Sequence, residues 1–377
     1  MVFSRVRFNS FVLIFSFFQY GLCTISSIWM DRRYFIMISS FILYSLIIVL
    51  NINKLYKEFW LLLISVFILI GTQYILYPDQ LVEINNIFLN FSTLGSTALF
   101  IGACKIDFSL VYNYAMRLAV LNYLLLQVYF IFSYSNMDSS SMLFGYALLP
   151  SAIFFMYKCV RDRKYIYGFL FLLSLVQLFI WGSRGTILIL ISFSVLRFIY
   201  NSKKNKYYFA FFLLLLLFLK DNLIAGCLQL ISFLPIDSHK LRNYQSMLTS
   251  GAWENSSGRN QIYEQVFDVF VHNMNGLGVG YWGFNENDGS IDYPHNFFLQ
   301  IGVEYGMIGL FFSFFFLFYT FSVINRMNMA LRRDILLIFF SISFIRLMVS
   351  SSYWLRPEFW IFISLIYSCN VKLISEK

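Results

Sequence analysis

Residues 292–310 read DYPHNFFLQIGVEYGMIGL, and this stretch joins the only long polar segment of the chain to an apolar run that continues to about residue 325. A helix needs only about 20 such residues to cross about 30 Å of hydrocarbon. Similar runs recur along all 377 residues, of which 59% are hydrophobic and 12% charged, against about 25% charged in a soluble domain. The sequence therefore predicts an all-α, polytopic integral membrane protein.

Apolar runs bounded by charged or turn residues predict about twelve transmembrane helices. These runs cover residues 8–30, 34–53, 59–77, 84–104, 110–134, 142–158, 165–182, 186–201, 207–226, 296–325, 335–354 and 358–374. If both termini face the cytoplasm, most of the 28 Lys and Arg residues fall at cytoplasmic helix ends, as the positive-inside rule expects. No basic block with interleaved aromatic residues lies on a polar domain, so the net charge of +9 indicates membrane topology and no nucleic-acid partner.

One segment differs from the apolar runs, and we predict that residues 220–295 form a single large periplasmic loop. The loop separates a membrane domain of residues 1–219 from a second membrane domain of residues 296–377. Within it, GRNQIYEQVFDVFVHN (258–273) spaces its apolar residues as a helix does, which predicts a short amphipathic helix lying over the membrane. Because binding and catalytic residues concentrate on such loops, chemistry is expected in this one.

The loop contains all three histidines of the chain, but their spacing does not predict a metal site. His239 and His272 lie far from each other and from His295, unlike the ligands of a zinc site. The five cysteines are odd in number and scattered, mostly inside apolar runs, so they predict neither a disulfide framework nor metal ligands.

Two arginines occupy positions where an anion is favoured. Arg184, in WGSRGTILIL (181–190), lies at an outer turn, where an arginine either reaches a lipid phosphate or contacts a substrate. Arg259 opens the predicted loop helix, whose exposed amide groups and dipole favour an anion. An ordinary solvated charge is the alternative interpretation of Arg259.

Arg346 follows the apolar residues ILLIFFSISFI (335–345) and is therefore predicted to lie well inside the eleventh helix. An arginine at that depth costs at least about 2.5 kcal/mol on insertion scales, so it should face a cavity or a partner. Glu304, one to two turns into the tenth predicted helix, is the candidate partner.

His295 and Asn296 lie where the loop meets the tenth predicted helix, and two interpretations fit them. Pro294 fixes the angle at which the chain approaches, and a histidine with a neighbouring asparagine suits a helix cap. An imidazole that titrates near neutral pH also suits a base that takes a proton from a hydroxyl group.

The glycine-rich stretch NGLGVGYWGF (275–284) superficially looks like a dinucleotide fingerprint. Its spacing fits poorly and no βαβ unit surrounds it, which argues against a nucleotide site. It is either a flexible turn before the next helix or a backbone that packs closely beside a substrate.

Three pieces in one order, SRG (183–185), GR (258–259) and HNFFLQIGVEYGMIGL (295–310), resemble the O-antigen polymerase and O-antigen ligase superfamily (Wzy-type and WaaL-type). The most specific part is the pattern of His295, Asn296 and Leu299, followed by Glu304, Gly306 and Gly309. The resemblance covers residues 182–310 and the overall topology, whereas the first 180 or so residues carry only hydrophobic similarity.

The resemblance implies a GT-C-like glycosyltransferase of the bacterial inner membrane, with its active site facing the periplasm and with no cofactor. The donor would be a glycan on undecaprenyl pyrophosphate, and the acceptor a sugar hydroxyl of another lipid-linked repeat. Membrane lipids and a polysaccharide chain-length regulator are the other expected partners. His295 would be the base, and Arg184 and Arg259 would stabilise the departing diphosphate. The residues implied for substrate binding are Arg346, Arg356, Asn296 and Glu304.

Polymerase and ligase share these motifs, and we favour a polymerase because the chain is fairly short and rich in Phe and Tyr, features common in O-antigen clusters. A ligase would transfer the glycan to lipid A-core instead. A lipid-linked oligosaccharide flippase is the second alternative, but it should have two similar halves and short loops. Polarity concentrated in one loop favours an enzyme.

Overall fold

The computed structural model describes residues 4–24, 32–55, 57–133, 141–181, 184–201, 259–284 and 294–375. These residues form helices joined by turns. The first part contains α1 (Arg5–Leu22), α2 (Arg32–Asn51), α3 (Lys57–Leu76), α4 (Leu81–Asn90), α5 (Ser96–Ala103), α6 (Phe108–Ser133), α7 (Ser141–Asp162), α8 (Tyr165–Trp181) and α9 (Arg184–Asn201). The second part contains α10 (Arg259–His272), α11 (Tyr281–Phe284), α12 (Phe297–Asn325), α13 (Ala330–Phe340) and α14 (Pro357–Ser375).

Short irregular helices extend or separate several of the longer ones, and three of them bear on the site. A π-helical turn, Phe91–Gly95, joins α4 to α5 without a break. A second π-helical turn, Ser341–Ile345, continues α13 as far as Arg346, and a 3-10 turn, Tyr353–Leu355, precedes α14. π turns are rare and often mark functional sites, so these positions direct attention to their surroundings.

Several helices have the length and apolar composition of membrane spans. Among the described residues, five helical stretches are long enough to cross a membrane: Phe59–Leu76, Pro78–Ala103, Phe108–Phe132, Leu143–Asp162 and Phe297–Asn325. Shorter apolar helices are Ile38–Asn51, Tyr165–Leu178 and Gly185–Tyr200. The structure thus confirms an all-helical protein of multi-pass membrane character within the described residues, while the total of twelve spans stays a prediction.

Part of the predicted organisation lies outside the described residues. This applies to the ninth predicted span (207–226), to the boundary at residue 219, to His239, and to residues 220–258 and 285–293 of the predicted loop. The helix predicted within 258–273 is present as α10. Its apolar residues pack on α12, so α10 is attached to the membrane domain by one face.

The outer surface of the helices explains why the chain needs lipid. On α12, the side chains of Phe311, Phe312, Phe314, Phe315 and Phe318 are all exposed. A water-soluble protein rarely leaves so large a contiguous apolar surface uncovered, because it would aggregate. Hydrocarbon solvates such a surface, while the helical backbone keeps its hydrogen bonds internal.

Polar side chains inside the bundle hold neighbouring helices in register. Asn9 of α1 and Asn51 of α2 exchange two hydrogen bonds of 2.9 Å. Gln127 of α6 and Gln177 of α8 do the same at 3.1 and 2.6 Å. Such pairs stabilise helix packing in lipid, where hydrophobic burial alone gives little preference for one arrangement.

The longest helix, α12, is broken at Gly306, where φ is 65° and ψ is −154°. The turn after α10 enters the break: the Met307 amide donates to the Met274 carbonyl at 2.9 Å. The amides of Leu277 and Gly278 donate to the carbonyls of Val303 and Glu304 at 2.7 and 3.1 Å. The glycine-rich segment is therefore a structural clamp on α12, which supports neither a free turn nor a nucleotide site.

The opposite end of the bundle is rich in charge. Lys158 pairs with Asp162 at 2.9 Å, and Arg197 of α9 pairs with Asp334 of α13 at 3.6 Å. The Arg197 guanidinium also lies 5.1 Å from the centre of the Tyr157 ring. These cations belong to the set that the positive-inside rule assigns to the cytoplasm.

Candidate functional site

His295 lies in the turn that begins α12, and its backbone is strained. Its φ is 50°, in the left-handed region that few residues other than glycine adopt. Asn296 then caps the helix, because its side-chain oxygen accepts from the amides of Phe298 and Leu299 at 3.0 and 3.3 Å. The capping role predicted for Asn296 is confirmed, and the cap fixes where His295 leaves the helix.

Phe297, the first residue of α12, attaches this turn to the start of α14 and to the segment before it. The Phe297 ring packs against Tyr353 and Phe359, with ring centres 5.8 and 5.6 Å away. In the sequence, Arg356 lies between Tyr353 and Phe359. The Phe359 amide donates to the Arg356 carbonyl at 3.1 Å. The turn that carries His295 and the turn that carries Arg356 are therefore neighbours.

Ser351, in the same segment before α14, is the second strained residue of this region, with φ of 78°. Its hydroxyl accepts a 2.5 Å hydrogen bond from Nε of Arg356, a half-buried side chain. Strained residues outside glycine tend to occur where function requires a fixed geometry. The strain at His295 and Ser351 marks the same end of the molecule.

Arg346 is buried, as the sequence predicted, but its partner differs from the predicted one. Its Nη1 lies 3.5 Å from Oε1 of Glu358, and its guanidinium carbon lies 4.2 Å from the centre of the Tyr146 ring. Arg356 is close enough for its like charge to act on Arg346. The predicted pairing of Arg346 with Glu304 is therefore wrong, because Glu358 in the first turn of α14 neutralises the arginine instead.

Glu304 is 1% exposed and belongs to a different network. Tyr353 donates to its Oε2 at 2.5 Å, and Nε2 of Gln300 donates to its Oε1 at 2.6 Å. Gln300 also donates to the hydroxyl of Ser352 at 2.8 Å. Glu304 thus connects α12 to the segment that carries Arg356, which is consistent with a supporting role.

The backbone of α9 brings Arg184 to the level of Arg346. Because Arg197 pairs with Asp334 and α9 also packs along the π turn before Arg346, the two helices are antiparallel. Arg184 lies thirteen residues before Arg197, and Arg346 lies twelve residues after Asp334, distances of about 20 Å and about 18 Å at the helical rise. Arg184 therefore opens α9 on the same side of the bundle as Arg346.

The direction of α10 places the backbone of Arg259 toward the start of α12, which follows His295. The last turn of α10 is followed by the clamp on Gly306, and Val266 in its middle packs with Val303. α10 is therefore antiparallel to the first part of α12, and Arg259, its first residue, lies toward the start of α12. The positions given for Arg184 and Arg259 are therefore those of their backbones, at the starts of α9 and α10.

Several residues of this region were not singled out from the sequence. Glu358 and Tyr353 carry no motif, and only the fold places them beside Arg346 and Glu304. A signal was available in α4, where three polar residues recur at helical spacing inside an apolar run: Glu83, Asn86 and Asn90. Polar residues on one face of a membrane helix indicate a face turned toward a cavity.

The described residues offer no donor set for a metal. No three His, Cys, Asp or Glu side chains in that part of the chain are grouped as metal ligands would be. What the region does offer is a histidine at a strained turn with four arginines at the same end of the bundle. Such a set can take a proton at one point and stabilise negative charge at another.

Residues 169–314 match the model of a protein family described as O-antigen ligase. The match begins in α8 and ends within α12, and it includes Arg184, Arg259, His295 and Glu304. It confirms the resemblance to the O-antigen polymerase and ligase superfamily, whose members are glycosyltransferase-like enzymes. A search of curated proteins finds no match.

Proposed function

We propose that this chain, which carries the O-antigen ligase family domain over residues 169–314, is an O-antigen polymerase. It joins repeat units carried on undecaprenyl pyrophosphate by an inverting glycosyl transfer that needs no metal. The proposal is supported by the backbone positions of Arg184 and Arg259, which begin α9 and α10, and by Arg346 and Arg356, all toward the end of the bundle where α12 begins after His295.

The distribution of charge supports a periplasmic active site. The end opposite His295 carries Lys158, Arg161 and Arg197, which cluster around Tyr112 and Tyr157. By the positive-inside rule that end faces the cytoplasm. His295 then faces the periplasm of a bacterial inner membrane, at the depth where a lipid-linked diphosphate lies.

The chemistry is a displacement at the anomeric carbon of the donor sugar. His295 takes the proton of the acceptor hydroxyl, and the oxygen of that hydroxyl forms the new bond to the anomeric carbon. The bond to the diphosphate breaks, and undecaprenyl pyrophosphate leaves with the electron pair. Arginines beside the diphosphate stabilise its growing negative charge, which lowers the barrier without a metal ion.

The environments of the arginines divide their roles. Arg346 is 7% exposed and already paired with Glu358, so it holds the first turn of α14 in place and does not itself contact the diphosphate. Arg356 is only half-buried and lies at the turn beside His295. Arg356 therefore joins Arg184 and Arg259 as a direct contact of the diphosphate.

O-antigen ligase is the second candidate, because the family description names that activity. The two enzymes share the donor and differ in the acceptor, which is lipid A-core for a ligase. Deleting the gene separates them: lipopolysaccharide with a single repeat attached indicates a polymerase. Lipopolysaccharide without any O-antigen indicates a ligase.

The catalytic assignment is tested by complementing the deletion strain with His295→Ala and resolving the lipopolysaccharide ladder on a gel. We expect the ladder to collapse to the band of the deletion strain, with the protein present at its normal level. His272→Ala is the matched control, because His272 is an exposed histidine at the other end of α10 whose ring pairs with Asp268 of the same helix.

Arg184→Ala and Arg259→Ala are each expected to shorten or abolish the ladder in the same assay. Arg326→Ala is their control, since Arg326 is exposed after α12 and its side chain donates to nearby Ser322. A ladder of normal length from His295→Ala would refute the base, and normal ladders from both arginine variants would refute the diphosphate contacts.

A further inference from the structure

A small cavity opens beside the Glu304 network. Its volume is about 180 Å³, and its walls come from the polar face of α4, from α12, and from two tryptophans, Trp282 and Trp354. The α4 face contributes Glu83, Asn86 and Asn90. The cavity shares Ser352 and Leu355 with the segment that ends at Arg356, so it adjoins the arginines of the proposed active site.

Two buried donors in the wall form no hydrogen bond of normal geometry among the described residues. They are the indole Nε1 atoms of Trp282 and Trp354, whose side chains are 8% and 3% exposed. Both indoles lie near the Glu304 carboxyl group. The carboxyl group already accepts from Tyr353 and Gln300, so it satisfies the two indoles only in part, and a ligand that supplies a better-placed acceptor is favoured.

We propose that this cavity binds one neutral sugar ring of the lipid-linked glycan through its hydroxyl groups. A hydroxyl both accepts and donates: it accepts from an indole N–H and donates to a carboxyl or amide oxygen. Donors on the tryptophans and acceptors on Glu304, Asn86 and Glu83 therefore match a sugar better than a purely donating or accepting group. This inference rests on the proposed function, which makes a glycan the substrate.

The charge of the wall excludes other parts of the substrate. Of the described residues that line the cavity, two are acidic and none is Lys, Arg or His. A diphosphate or a uronic acid inside the cavity would face two carboxyl groups and no cation in the wall itself, which costs free energy. The arginines bind the diphosphate, and this cavity selects the uncharged ring.

The size of the cavity limits how much of the glycan it holds. Pockets for drug-sized ligands measure about 300–1,000 Å³, and this cavity is smaller. A cavity of this size surrounds one ring, and its open side lets a longer glycan continue outward. The rest of the glycan then extends away from the cavity, which leaves the ring beside Arg356 as the one that the enzyme selects.

The test measures binding directly, with the full-length protein purified in detergent micelles. Saturation-transfer NMR is recorded with the methyl glycosides of glucose, galactose and N-acetylglucosamine, and with methyl glucuronide as the anionic probe. We expect at least one neutral glycoside to bind and the glucuronide to show no transfer. Binding is also expected in His295→Ala, because the cavity does not require the base.

Asn86→Leu and Trp282→Phe are each expected to weaken the Kd of the bound glycoside about two- to tenfold, the effect of one lost hydrogen bond. Trp282→Phe keeps an aromatic ring and removes the indole donor. Asn85→Leu is the matched control, since Asn85 is exposed on the same helix but outside the cavity wall. Its Kd should equal that of the wild type.

Three results would overturn the inference: no binding of any neutral glycoside, equal binding of the glucuronide, or an unchanged Kd in both Asn86→Leu and Trp282→Phe. These outcomes are separable from a failure of the proposed function. If His295→Ala keeps a normal ladder, the catalytic proposal fails while the binding result stands by itself. If binding fails while His295→Ala loses the ladder, only the sugar site is lost.

Discussion

The break in α12 gives the sharpest test of how the site is built, through the substitution Gly306→Ala. At φ 65° and ψ −154°, Gly306 occupies a region that is almost restricted to glycine. A Cβ atom there would overlap the Met274 carbonyl oxygen and lie 2.7 and 2.8 Å from backbone atoms of Asn275 and Gly276. All of these are main-chain atoms, so no side chain can rotate away to relieve the clash.

The cost follows from two effects. A residue with a side chain forced into this backbone region is strained by about 1–3 kcal/mol. Displacing the clamp also weakens the three hydrogen bonds that join residues 274–278 to α12, each worth about 0.5–1.5 kcal/mol net. The variant should be less stable by about 3–5 kcal/mol, and Glu304, two residues before the break, should lose its alignment.

The measurement is the apparent unfolding midpoint in detergent micelles, together with the lipopolysaccharide ladder. Because membrane proteins often unfold irreversibly, variants are compared at one heating rate. Gly71→Ala is the control, since no atom lies within 4 Å of a Cβ placed there, and its midpoint should stay level or rise slightly. Equal midpoints and ladders for Gly306→Ala and Gly71→Ala would refute the reasoning.

Three further substitutions test individual contacts. Glu358→Ala should destabilise the protein by about 3–5 kcal/mol, because Arg346 stays buried without its counter-charge; a wild-type yield of monodisperse protein would contradict this. Tyr353→Phe keeps the packed ring but removes the hydrogen bond to Glu304, so the unfolding midpoint should fall by the equivalent of about 1–3 kcal/mol. Arg356→Lys keeps the charge but loses the planar set of donors, so the ladder should shorten, and an unchanged ladder would remove Arg356 from diphosphate binding.

The sequence predicted the helices well because membrane insertion depends on local composition. Each described helix longer than four residues, except α10, overlaps an apolar run, and α10 follows the helical spacing of Ile262, Val266, Val269 and Phe270. The cap at Asn296 was predictable for the same reason, since capping involves only the next three residues. Short-range rules suffice for such features.

Contacts between distant residues were less predictable. The depth of Arg346 indicated a buried partner correctly, but the hydropathy pattern offered Glu304 as readily as Glu358. The choice depends on how α14 approaches Arg346 after the turn at Ser350–Arg356, and that approach is set by the packing of Phe297, Tyr353 and Phe359. Packing of this kind has no signature in a single chain.

The sequence by itself therefore determined the helical membrane architecture and the family motifs around His295, and it offered the cap that begins α12 as one of two interpretations. Only the tertiary structure decided that Glu358 neutralises Arg346, that Gly306 receives the glycine-rich clamp, and that Asn86 faces a cavity with two buried indole donors. The physical reason is the range of the interactions. Burial in lipid and helix capping act over a few residues, whereas the other contacts depend on how separate segments pack. Arg346 and Glu358 are 12 positions apart, and the cavity joins α4 to the segment before α14.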